Sequence, residues 1–130
     1  ISVAKALAQG VGGKIKSALE ATIRLEPKHA DAHIALAAFH AEVIDKVGAL
    51  IGNMTYGATQ ETSLTLFAQA LALNPRSAIA KIEYANALVI LEGDNRMAEA
   101  TQYYEEAAAT KAKDALEHLD IEMAQAELAS

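Results

Sequence analysis

His29 and His33 stand four residues apart with Asp31 between them. Side chains at that spacing share one helix face, and two imidazoles so placed suit zinc or nickel. A third ligand is missing from the neighbourhood, so surface or packing histidines are expected and no metal. His118 precedes Glu122 by four, beside Glu117, which reads as an ordinary ion pair along a helix. The run Gly10-Val11-Gly12-Gly13 lacks the lysine and the serine or threonine of a phosphate loop and reads as a helix break. With no cysteine, thiolate metal sites, disulfides and a cysteine nucleophile are excluded. No serine, histidine and carboxylate can be grouped into a triad. Nucleophile, base and oxyanion donor do not converge, so the expected protein is not an enzyme and takes no cofactor.

Charge and composition narrow the partner. The chain has 130 residues, one domain's length, with 17 acidic and 11 basic residues and a net charge of −6. It carries no basic block, so neither nucleic acid nor an anionic membrane surface is an expected partner. No apolar run reaches the length of a membrane span, and no signal-peptide pattern is present. The compartment is not fixed by these features, with the cytoplasm favoured. The chain starts at Ile1 without a methionine, as a processed or trimmed fragment would.

The elements that must position any site are helices. Alanine supplies much of the apolar content, which favours helix and close helix approach, and no segment alternates with period two. Glycines 10, 12 and 13 part a short opening helix from one that Pro27 ends, since the residue before a proline avoids helical backbone. A long helix is predicted from Ala30 to Ile51, with Asp31 in its first turn. It stops at Gly52-Asn53, and Gly57 closes a short loop. The next helix ends at Leu73 before Asn74-Pro75. Ser77 is a good N-cap for a helix to Glu92. After a turn at 93–95, a helix covers Met97 to Thr110. Asp114 and Glu117 have capping-box spacing and would open a last helix to Leu128.

One helical ending recurs. Leu19 to Pro27 and Phe67 to Pro75 share a bulky residue, a threonine or alanine three later, then apolar-x-apolar-x-Pro. A weaker copy starts at Tyr104, with Ala107 in the small slot and Ala112 in place of proline. The helices that follow the prolines read His33-x-x-Leu36-Ala37-x-x-His40 and Lys81-x-x-Tyr84-Ala85-x-x-Leu88; second helices read Ser63-x-x-x-Phe67 and Ala100-x-x-x-Tyr104. This pattern resembles the tetratricopeptide repeat, a helix–turn–helix unit of about 34 residues. The resemblance implies an all-α, right-handed solenoid of about three units, near 1–29, 30–77 and 78–113, with a C-terminal capping helix over 114–129. Pro27 and Pro75 lie about 48 residues apart, about 14 more than the repeat period, and the surplus falls near 44–57. It also implies that the Phe67 and Tyr104 rings wedge against the alanine-bearing helix before each, and that His33 and His40 fill packing slots.

Repeats of this family line a concave groove with the first helix of each unit. Those slots fall on Ile34, Ala38 and Glu42, then Ile79, Ile82, Asn86, Val89 and Ile90, then Leu116, Leu119 and Met123. The implied function is an adaptor or scaffold that binds a peptide or helix, with Asn86 holding the guest backbone. A clamp for a partner's C-terminal carboxylate is disfavoured, because the slots lack cations and the last helix is acidic. The alternative expectation is that the last helix folds into the groove and fills it. A second apolar stripe, Val43, Ile44, Val47, Leu50 and Ile51, with Met54 and Tyr56 at its tip, is a candidate dimer or docking ridge unless the opening segment covers it. The alternative to an adaptor is thus a self-associating structural domain, a homodimer, within a larger regulatory protein.

Overall fold

The structure, a computed structural model, describes residues 3–129 apart from the side chain of Glu117. It is all-α, with no strand among the described residues. The helices are α1 (Val3–Ala8), α2 (Gly12–Leu25), α3 (Ala30–Val47), α4 (Ala49–Tyr56), α5 (Gln60–Leu73), α6 (Ala78–Glu92) and α7 (Met97–Ala129), with a 3-10 turn over Gly93–Arg96. Their starts are coded locally. The Ser77 hydroxyl accepts from the Ala80 N–H at 3.1 Å, and Thr59 caps α5 through the Thr62 N–H. At α3 the cap is His29, whose Nδ1 accepts from the Ala32 N–H at 3.0 Å.

Helix α3 is the hub. It packs on α2, α5 and α6, and α6 in turn packs on α7. Alanines 37 and 41 on α3 and alanines 80 and 87 on α6 lie in the main core, and such small residues let helix axes approach closely. Phe67 of α5 is fully buried and stacks on Tyr84 of α6 with ring centres 5.3 Å apart. Tyr84 in turn meets Tyr103 of α7 at 5.0 Å, so an aromatic ladder ties three helices together. Ser63 is the polar exception. Its hydroxyl donates to the Ala37 carbonyl at 2.7 Å, which satisfies a fully buried group.

Three expectations are corrected. The helix from Ala30 ends at Val47, not Ile51, and residues 52–56 are helical rather than a loop. Gly48 makes that break, with φ +86°, a conformation glycine adopts without a Cβ penalty. Gly52 instead sits inside α4 against α3, where a Cβ would lie 3.3 Å from the Val43 side chain. The expected break between Thr110 and Asp114 does not occur. No glycine or proline interrupts residues 97–129, and Ala, Glu and Lys dominate the would-be junction, so α7 runs on for 33 residues. Asp114 is therefore mid-helix, the Glu117 side chain of the expected capping pair lies outside the described residues, and no separate capping helix forms. Finally, the packing tyrosine of α7 is Tyr103, while Tyr104 stays partly exposed.

A smaller core lies at the other end. Phe39 and Val43 of α3 are covered by Val3 and Leu7 of α1, Ile15 of α2 and Tyr56 of α4. The apolar stripe read from the sequence is thereby divided at Gly48. Val43 is fully buried, Ile44, Val47 and Tyr56 are packed against this core, and Leu50, Ile51 and Met54 face solvent on α4.

Candidate binding groove

Along the seam of α3 and α6 run two adjoining cavities that share Ala38 and Glu83. The first, about 320 Å³, is lined by Ala38, Ala41 and Glu42 of α3, by Glu83, Asn86, Ala87, Val89 and Ile90 of α6, and by Tyr104 of α7. The second, about 310 Å³, continues toward the start of both helices between Asp31, Ile34, Ala35, Ala38, Ile79 and Glu83. The furrow follows from spacing. Residues 34, 38 and 41–42 recur at helical intervals on α3, as do 79, 83, 86 and 90 on α6, so each set forms one face. Alanines at 35, 38, 41 and 87 supply no bulk, and the space they leave is the groove floor.

Its walls are apolar and its charges are of one sign. Ile79, Val89 and Ile90 are exposed there. Asp31, Glu42 and Glu83 supply carboxylates, and among the described residues none that lines either cavity is basic. The Tyr104 hydroxyl donates to the Asn86 carboxamide oxygen, which fixes the amide at the groove wall. That bond uses the amide oxygen and leaves the Asn86 NH₂ as a donor at the groove wall.

Seven residues named from the sequence line this furrow: Ile34, Ala38, Glu42, Ile79, Asn86, Val89 and Ile90. Four do not. Ile82 is half-buried on the flank of α6 and outside both cavities. Leu116, Leu119 and Met123 lie on the continuous second half of α7, exposed and away from the groove, because that helix never turns back. Asp31, Glu83 and Tyr104, with alanines 35, 41 and 87, belong to the groove without having been expected there. Glu83 was detectable from its step of four beyond Ile79, whereas the choice between Tyr103 and Tyr104 is made by the Tyr84 ring.

The histidines are engaged elsewhere. His33 Nδ1–H donates to the His29 carbonyl at 2.8 Å, and His29 Nδ1 is spent on its cap. Among the described residues no three His, Cys, Asp or Glu side chains come together in a way that could hold a metal ion. His40 is buried, and its Nδ1 accepts from the Thr59 N–H at 3.1 Å, which requires a neutral ring. Burial, and then the nearby Lys16 charge, push its pKa down, with Glu20 acting weakly the other way. Among the described residues no helix is long and apolar enough to cross a membrane. Comparison with known proteins finds no matching family model, no matching curated protein and no matching solved structure.

Proposed function

We propose that this chain is a non-catalytic protein-binding module built as a right-handed stack of tetratricopeptide-like helix pairs, α3 with α5 and α6 with α7. Helix α2 is the second half of an earlier unit and α4 an insertion. The supporting observation is the α3–α6 furrow, where first helices of successive units lie side by side as that family's groove requires. The guest is a short amphipathic segment, with apolar side chains against Ile79, Val89 and Ile90 and a lysine or arginine toward Glu42 and Glu83. Rigid helices hold the floor in place, so ordering costs fall mainly on the guest. Selection from a random peptide library tests this. Enriched peptides should combine basic and apolar residues and lose most of their affinity for the Glu83→Lys variant. Failure to enrich any class, or equal binding to the variant, overturns the reading.

A second reading, a self-associating structural domain, draws on a separate observation. Leu50, Ile51 and Met54 form an uncovered apolar face on α4, and Leu116, Leu119 and Met123 another on α7. Faces of this kind on a small domain favour contact with another protein surface.

A further inference from the structure

Three carboxylates mark out the length of the α3–α6 furrow. Asp31 stands at one end, Glu42 at the other, and Glu83 borders both cavities. Glu42 and Glu83 are half-buried, yet among the described residues neither they nor Asp31 has an ion pair or a side-chain hydrogen bond. Carboxylates partly withdrawn from water without a partner gain from a cation brought to them. Asp31 and Glu42 are eleven residues apart on α3, close to three full turns. They therefore share a face and lie about 16 Å apart along the axis. Between these two acidic ends the floor is alanine.

We infer that the guest is an extended segment with two cationic side chains four residues apart, one on Asp31 and the other between Glu42 and Glu83, and an apolar side chain midway over Ala38. The inference rests on the groove reading and adds the conformation and register of the guest. An extended chain advances about 3.3 Å per residue and turns alternate side chains to one face. Residues i, i+2 and i+4 then face the furrow, the outer two about 13 Å apart, and the reach of two long side chains covers the rest. A separation of three or five would turn the second cation away from the furrow. Two features count against a helical guest. A helix is about 10–12 Å across, whereas packed helices stand about 8–10 Å apart, so it would ride on exposed Val89 and Ile90 above the alanine floor. Its carbonyls are also spent within itself, while an extended guest offers carbonyls to the Asn86 NH₂.

Fluorescence anisotropy with labelled synthetic peptides tests the inference. The series holds two lysines with a leucine between them and varies the lysine separation from two to six, with eleven as the helical control. Affinity should peak at four and fall by roughly tenfold at three and five. A one-lysine peptide should bind the parent chain roughly tenfold more weakly than the best two-lysine peptide, and the two should bind Asp31→Asn alike. A flat series, a maximum at another separation, or a two-lysine advantage that survives Asp31→Asn would each overturn the inference. If binding in those cases is still lost in Glu83→Lys, the groove reading stands without it. No binding by any peptide, or binding indifferent to Glu83→Lys, would remove both.

Discussion

Two glycines with opposite surroundings give a direct check at the residue scale. Gly48 holds a positive φ between α3 and α4, so Gly48→Ala should cost about 1 kcal/mol. Gly13 lies in the first turn of α2 with nothing within 4 Å of the position a Cβ would take. Gly13→Ala should therefore add about 0.5 to 1 kcal/mol, mainly by restricting the unfolded chain. Urea titration of both variants measures the pair. His40 supplies a pH signature. Its folded pKa is pushed below the ordinary 6.5, so near that pH the unfolded chain binds a proton that the folded chain refuses. This contribution to stability is complete above pH 6.5 and is lost as pH falls below it. His40→Asn keeps an acceptor for the Thr59 N–H without titrating. Its denaturation curves between neutral and mildly acidic pH should show a shallower loss of stability than the parent's.

At the scale of elements, what was legible in the sequence was what side chains code locally. Pro27, Asn74-Pro75, Ser77 and Gly93 each bear on the backbone within a residue or two, and the helices end and begin there as expected. Two boundaries were not local decisions. Gly48 and Gly52 are equal as helix breakers, and α4 forms because Gly52 is the one that lets it lie against Val43. Asp114 and Glu117 carry a capping signal, but capping is only gained where a helix already ends, and the alanine-rich stretch before them gives no cause to end. Most furrow residues of α3 and α6 were legible for the same reason as the helices, since a helical face is a matter of spacing, but Ile82 falls outside the furrow and Glu83 lines it instead. Leu116, Leu119 and Met123 were misplaced because their assignment depended on a turn that is absent. The lone half of α7 gives this scale its prediction. A chain ending after Thr110, heated at low concentration, should melt within about 2 °C of the full chain, because every described side chain among the deleted residues is exposed. A large fall would mean that the segment does cover the core.

For the molecule as a whole, the net charge of −6 and the carboxylates lining the α3–α6 furrow have the same sign, so the proposed function calls for a cationic guest and for binding that weakens with salt. The aromatic ladder from Phe67 through Tyr84 to Tyr103 ties α5, α6 and α7 together, so the proposed function starts from a furrow that is already formed. The most direct measurement is a heteronuclear NMR titration with a basic amphipathic peptide taken from library selection. The expected result is shift changes concentrated at Ala38, Glu42, Glu83, Asn86, Val89 and Ile90, and abolished in Glu83→Lys. Changes confined to the faces of α2, α5 or the far half of α7, with the furrow silent, would contradict a binding groove between α3 and α6.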